Sequence, residues 1–350
     1  MLTFHPLTLT RRLSIAEDAV CLDLAAPAEL RDAYRFEAGQ HLAVRAVIGG
    51  REVRRTYSIV SPAGGALRLG VRVQGEMSRY LAEALPVGGV LEAMAPSGRF
   101  RPSIEPGRAK AYAAIAAGSG ITPVLSIIST LLDREPLSRM VLVYANRSLG
   151  RTMFLDEVLA LKNRFLDRLI VHCVMSQEPQ DVELFNGRMN TDKLRELARS
   201  EFSPTQIDEY FICGPAAMVK DLTTTLRELG ATGKIHTELF AVDGDSRKSA
   251  AATDRAGAAG TATVTIDGRR RGFAMLPGQT ILESAEAAGL TLPYSCRAGV
   301  CSTCRTKIVS GAVAMDRNQA LEDWEVQAGF VLCCQARPTT DSVEISYDEK

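Results

Sequence analysis

The chain has 350 residues, 46% hydrophobic and 23% charged, and its 41 basic and 41 acidic residues cancel. That is the composition of an ordinary globular protein long enough for two or three domains. The neutral balance argues against a nucleic-acid partner, and no apolar run reaches the roughly 18–20 residues that cross a bilayer, so no membrane partner is expected either.

Residues 1–105 read as short alternating strands broken by Gly and Pro, with candidates at 19–24, 41–48, 55–60 and 66–73. This pattern predicts a small antiparallel β-barrel. One strand carries Arg55, Tyr57 and Ser58, and alternation puts Arg55 and Tyr57 on one face. A cation, a flat ring and a hydroxyl so close together suit a phosphorylated, ring-bearing cofactor; a half-buried strand whose Arg reaches to solvent is the plain alternative. Further on, Gly75-Glu76-Met77-Ser78 opens a helical stretch over 79–84, and its free N–H groups could hold the same pyrophosphate.

From 106 to 241 the pattern changes to buried strands, at 111–116, 140–145, 169–175 and 209–213, most followed by a helix. That predicts a doubly wound α/β domain with a parallel sheet. After the first strand, Gly118-Ser119-Gly120-Ile121-Thr122-Pro123 turns sharply into an apolar helix, where glycines and the helix N-terminus can receive a phosphate. A second such turn, Cys213-Gly214-Pro215, lies later in the same sheet, and the two together favour a dinucleotide. Arg147 and Ser148, with Arg151 beyond them, follow the second strand where a 2'-phosphate would be read, favouring NADPH over NADH. The alternative is a solvated approach to a helix.

Residues 242–261 contain almost nothing able to pack in a core and are expected to be a flexible linker, or else a short Ala-rich helix. Beyond it, 262–350 holds Cys296, Cys301, Cys304 and Cys334, with four, two and twenty-nine residues between them. Two irons need four thiolates, and a curled loop can deliver three while a later strand brings the fourth, which is the spacing of a plant-type 2Fe-2S cluster. Structural zinc more often takes two separated pairs. Cys333 adjoins Cys334 and either could reach the iron, strand register deciding; Cys334 is the preferred ligand. Met1 opens no charged-then-apolar leader and a disulfide framework fits poorly, so reduced thiols in the cytoplasm are expected. His5, His41, His172 and His236 show no metal spacing and receive no role.

The order Arg55-x-Tyr57-Ser58, Gly75-x-x-Ser78, Gly118-x-Gly120-Ile121-Thr122-Pro123, Cys213-Gly214-Pro215 and the C-terminal cysteines resembles the ferredoxin-NADP reductase superfamily, in its single-chain form with a C-terminal plant-type ferredoxin domain. The resemblance implies three folds: an antiparallel β-barrel flavin domain at 1–105, an α/β doubly wound nucleotide domain at 106–241, and a β-grasp (α+β) 2Fe-2S ferredoxin domain at 262–350. It implies FAD, with FMN as alternative, held by Arg55, Tyr57, Ser58 and the Gly75, Met77, Ser78 turn. Gly118, Gly120, Thr122, Cys213 and Gly214 would surround the nicotinamide dinucleotide, with Cys213 near the reacting carbon. Glu238 and Phe240 would lie beside the flavin, Glu238 relaying a proton. The implied activity is an NADPH-dependent reductase that converts a two-electron donor into single electrons for a terminal oxygenase, di-iron by this resemblance, docking at the ferredoxin domain. Glu322, Asp323 and Glu325 around Trp324 offer an acidic docking edge. A zinc-holding nucleotide module that switches a partner is one rival; a stand-alone NAD(P)H oxidase is another, though it would not need the four cysteines.

Overall fold

The computed structural model describes residues 3–240 and 260–349. One compact unit comprises Phe4–Val53 and Tyr57–Phe240, and a second is built chiefly from the C-terminal segment.

In the first unit, β1 (His5–Ala16), β2 (Ala19–Ala25), β3 (His41–Ile48), β4 (Arg51–Ser58), β5 (Leu67–Arg72) and β6 (Val90–Ala93) form a sheet in the order β4-β3-β6-β1-β2-β5. Its edges meet where Ile59 bridges Leu69 and the Val60 amide donates to the Arg68 carbonyl at 2.9 Å, so the sheet closes on itself. Closure removes the unpaired edges and buries Leu7, Leu9, Leu22, Leu42, Leu69 and Met77 completely. The strand expected at 55–60 begins earlier, because Gly49 (φ +56°) and Gly50 (φ +75°) form the two-residue hairpin turn joining β3 to β4. The sequence reading passes over β1, whose exposed middle breaks strict alternation, and β6, which is only four residues long. After β5 comes α1 (Glu76–Arg79), continued by a wider turn over Tyr80–Ala84.

The rest of this unit is a parallel sheet of β7 (Ala111–Ala117), β8 (Arg139–Asn146), β9 (Leu169–Met175), β10 (Glu209–Gly214) and β11 (Lys234–Leu239), ordered β11-β10-β7-β8-β9. Between them run α2 (Ile121–Arg134), α3 (Leu155–Arg164), α4 (Thr191–Ser200) and α5 (Ala216–Glu228). The chain starts at the central β7, steps outward to β8 and β9, then crosses back to β10. The order therefore reverses beside β7, which is where open α/β sheets bind ligands. β7 can sit in the middle because it is mostly alanine and buries both faces. The apolar cluster around α2 takes in Ala19 and Cys21 of β2 together with Phe211 and Cys213 of β10, tying barrel and nucleotide sheet into one unit.

The second unit contains β12 (Gly260–Ile266), β13 (Arg269–Met275), α6 (Ile281–Ala287), β14 (Arg305–Ser310), β15 (Val313–Met315), α7 (Asp323–Gln327), β16 (Phe330–Leu332), β17 (Ala336–Pro338) and β18 (Ser342–Ser346). Its main sheet runs β13-β12-β18-β14-β16, with only β12 and β18 parallel, and α6 packs over its core. A capping box starts α6: Thr280 Oγ1 accepts from the Glu283 amide at 3.2 Å and Glu283 Oε2 from the Thr280 amide at 2.8 Å. Of the expected linker 242–261, only Gly260 and Thr261 are described, and both are already in β12; 242–259 lie outside the described residues. Among the described residues no helix is long and apolar enough to cross a membrane.

Candidate functional site

Two strand ends of the parallel sheet interlock. β7 runs into Gly118 (φ +54°), a tight turn follows, and α2 starts at Ile121. A Cβ on Gly120 would stand 2.2 Å from the Cys213 carbonyl oxygen, so only glycine lets this turn lie against the end of β10. Likewise a Cβ on Gly214 would meet Met218 Cε at 2.7 Å and Ala117 Cβ at 3.0 Å. Thr122 closes its own turn by donating to the Ser119 carbonyl at 3.0 Å, and its methyl faces Gly70 of the barrel. Tyr144 Oη donates to the Gly118 carbonyl at 3.2 Å and the Met153 carbonyl at 3.0 Å, fixing the loop from below. The N–H groups at the start of α2 thus stand above a rigid glycine cradle, an arrangement suited to a phosphate.

At the end of β8, Arg147 is exposed and makes no ion pair among the described residues, while the Ser148 carbonyl accepts from Thr152 Oγ1 at 2.9 Å. Arg151 is turned away from them: its guanidinium pairs with Asp18 of the barrel, which Arg72 also grips. Asn146 ends β8, and its Nδ2 is buried with no hydrogen-bond partner among the described residues, the kind of orphan donor that a bound nucleotide would satisfy. The sequence reading did not single out Asn146 as a ligand; a polar residue ending a buried apolar strand is the signal that could have found it.

On the barrel side, Ser58 at the end of β4 is 3% exposed and donates to Glu238 Oε2 at 3.3 Å, 180 residues away. Glu238 Oε1 stands 3.7 Å from His41 Nδ1, and His41 Nε2 is 3.4 Å from Ser97 Oγ. Glu238 is also the register partner of Cys213 on the neighbouring strand. Ser58, Glu238 and Cys213 are therefore brought together, and His41, which carries no local sequence signal, joins them. Burial first, then the Glu238 charge, pushes the Cys213 thiol well above its ordinary range. A thiol so held is neutral and cannot serve as a nucleophile. Iodoacetamide at pH 8 is accordingly expected to leave Cys213 unlabelled in the folded protein and to label it after denaturation, as read by peptide mass spectrometry; fast labelling of the native chain would contradict this.

The remaining expected flavin contacts lie on β4, on the turn opening α1 and just after β11. Arg55 lies on β4 with its guanidinium donating to the Arg54 carbonyl at 2.8 Å, and Tyr57 is half-buried against the barrel core. Ser78 Oγ accepts from the Gln74 and Gly75 amides at 2.9 and 2.8 Å, which shapes the turn opening α1. Met77 points inward and is wholly buried, so it offers the turn an anchor rather than a side-chain contact. Phe240 packs against the cluster around α2.

In the second unit the loop before β14 curls through three left-handed residues, Arg297 (φ +53°), Gly299 (φ +77°) and Ser302 (φ +50°). Such backbone on non-glycine residues is costly and persists where a site requires it. The curl brings the Cys296 and Cys301 thiols together, and the Cys304 thiol lies against those of both Cys333 and Cys334. The bond with Cys301, helped by the N–H groups of Ala298, Val300 and Cys301, outweighs burial and holds the Cys296 thiol down to about 6. Cys301 and Cys334 are pushed up, first by the bonds to Cys296 and Cys304 and then by burial. Among the described residues no three such groups converge on one point as the ligands of a single ion would. Four thiols are by their chemistry a donor set that suits two irons, and Ser295 Oγ beside Cys296, buried with no hydrogen-bond partner among the described residues, would suit a sulfur-rich acceptor. The expected acidic docking edge is not continuous. Glu325 is fully buried, its carboxylate 2.8 Å from Arg305 Nε, because the inward face of α7 carries it, and Glu322 accepts from Trp324 Nε1 at 2.6 Å.

Known proteins share this three-domain architecture. Residues 6–101 match an oxidoreductase FAD-binding domain, 114–224 an oxidoreductase NAD-binding domain, and 264–339 a 2Fe-2S iron-sulfur cluster binding domain. The chain is 42% identical to one of the subunits of the 1,2-phenylacetyl-CoA epoxidase of Escherichia coli K12, covering 100% of this chain and 99% of that one. It is 31% identical to the ferredoxin reductase component of 3-ketosteroid-9-alpha-monooxygenase of Rhodococcus rhodochrous, covering 97% and 96%. Phthalate dioxygenase reductase shares the fold, with a TM-score of 0.57 at 24% identity over 98% of both chains. An intact type IV self-sufficient cytochrome P450 monooxygenase does so too, with a TM-score of 0.68 at 21% identity; this chain covers 41% of it.

Proposed function

The chain belongs to the ferredoxin-NADP reductase superfamily, among the oxygenase reductase components that carry FAD-binding, NAD-binding and 2Fe-2S domains in one polypeptide, and from that premise we propose that it supplies electrons from NADPH to a di-iron oxygenase that epoxidises phenylacetyl-CoA. The observation that carries this reading is the end-to-end 42% identity with a component of the phenylacetyl-CoA epoxidase. An oxygenase of another substrate class is the second reading, favoured by the 31% identity with the ketosteroid monooxygenase component.

Arg55, Tyr57 and Ser58, with the turn at Gly75, Met77 and Ser78, would hold the FAD. Gly118, Gly120, Thr122, Cys213 and Gly214 would hold the dinucleotide, with Arg147, Ser148 and Asn146 toward its adenosine end. Cys296, Cys301, Cys304 and Cys334 would hold the cluster. When bound, the flavin accepts a hydride's two electrons and the cluster passes them on one at a time. The chain's own part is to place and protect. Glu238 keeps a carboxylate against the Ser58 hydroxyl, so that a proton can be held or released at that oxygen, and the neutral Cys213 thiol fills its strand end without adding charge. Phe240 covers the same side with apolar surface. Reduced thiols of this kind belong in a reducing compartment, and we assign the protein to the cytoplasm.

The test is anaerobic purification followed by visible spectra before and after one equivalent of NADPH, then of NADH, with iron, sulfide and flavin assayed together. Bleaching of flavin and cluster bands, faster with NADPH, is expected, and Arg147→Ala should narrow that difference through KM. A colourless protein holding zinc would overturn the proposal. Reconstitution with each class of oxygenase, scored by coupled product formation, separates the two readings.

A further inference from the structure

β14 and β16 run antiparallel with Arg305 opposite Leu332. One residue further along that register, Cys304 comes opposite Cys333, and the Cys333 amide donates to the Cys304 carbonyl at 3.1 Å. Opposed residues of an antiparallel pair leave the sheet on the same face. The Cys333 thiol therefore leaves the sheet on the same face as that of Cys304, directly beside it. Cys333 is wholly buried, and its Sγ lies 2.9 Å from Tyr347 Oη, which follows β18. The neighbouring Cys334 takes a different contact, its Sγ accepting from Gln335 Nε2 at 3.7 Å. A fifth thiol thus sits directly behind one of the four assigned to the cluster, and a phenol sits behind the thiol.

We infer that Tyr347 and Cys333 form a donor relay onto the Cys304 sulfur, Tyr347 Oη donating to Cys333 Sγ and the Cys333 S–H donating to Cys304, and that this relay raises the reduction potential of the cluster. A ligating Cys304 has given up its proton and can only accept, which fixes the direction of both bonds. Hydrogen bonds to a ligand sulfur favour the more negatively charged, reduced centre. Linked bonds in a buried site polarise one another, so the phenol strengthens the thiol as a donor. Cys333 and Tyr347 are positioning and tuning residues here, not ligands.

The inference rests on Cys296, Cys301, Cys304 and Cys334 being the ligands, and the test keeps the two apart. Cys333→Ala, Cys333→Ser and Tyr347→Phe are prepared in the full-length chain, assayed for iron and acid-labile sulfide, and their cluster midpoint potentials followed by EPR. The expected result is unchanged iron in all three, a lower potential in Cys333→Ala and Tyr347→Phe, and recovery in Cys333→Ser, whose hydroxyl is again a donor. Full iron with unchanged potentials in Cys333→Ala and Tyr347→Phe overturns the relay and leaves the ligand assignment standing. Loss of iron in both Cys333→Ala and Cys333→Ser overturns the relay by making Cys333 a ligand. Tyr347→Phe removes only one oxygen and reads the relay even where a change at Cys333 disturbs folding.

Discussion

Cys334→Ser is expected to strip iron and sulfide from the protein while leaving flavin bound. Cys334 is 7% exposed and sits beside Cys304, so no solvent ligand can easily replace it. Three thiolates do not complete the coordination of two irons, and a buried serine hydroxyl resists the deprotonation that ligation needs. The effect should exceed the roughly 10–100-fold loss typical of removing a mere outer-shell partner of a metal. Cytochrome c reduction, which needs a one-electron outlet, should fall by a comparable or larger factor, while ferricyanide reduction at the flavin persists. Iron and flavin assays on the same sample check this. A variant that keeps two irons per chain would move the fourth ligand to Cys333.

Gly120→Ala should disable coenzyme use while sparing the iron-sulfur unit. The added methyl carbon would lie 2.2 Å from the Cys213 carbonyl oxygen, 2.6 Å from its carbon and 3.1 Å from the Gly214 nitrogen. These are backbone atoms at the end of a central strand, and they cannot swing aside as a flexible side chain could. Relief requires β7 and β10 to part at the point where the two turns interlock. Overpacking of this kind costs about 1–3 kcal/mol. The larger consequence is expected in binding: KM for NADPH should rise at least about tenfold, equivalent to about 1.4 kcal/mol, with iron and flavin content unchanged. Gly118→Ala is the control. Its φ of +54° imposes strain, but the nearest atom to the new carbon is Arg72 Nη2 at 3.9 Å, so a milder loss is expected. Steady-state ferricyanide reduction and thermal unfolding of both variants distinguish a blocked turn from general destabilisation.

The acidic edge on the ferredoxin domain shows where reading along the chain goes astray. Glu322, Asp323 and Glu325 look alike as a charged run, but a helix distributes its residues around an axis, and one face of α7 turns inward. Glu325 lands under Arg305, which lies 20 residues earlier on β14. His41 is the opposite case. It sits in an ordinary strand, and only closure of the barrel against β11 sets it beside Glu238.

What the sequence determined by itself is what is local. Cysteine spacing, glycines at strand-to-helix turns and runs of buried apolar residues are set by backbone geometry over a few residues, and they suffice to find the cysteine loop, the glycine turns and most strands of the first unit. The long-range contacts came from packing in three dimensions. The hydrogen bond of Ser58 to Glu238, the Asp18 grip that withdraws Arg151 from the end of β8, and the pairing of Cys304 with Cys333 join segments that no period or motif links. Their chemistry depends on which strands become neighbours, and that is settled by sheet order and barrel closure, through the burial of side chains spread along the whole chain.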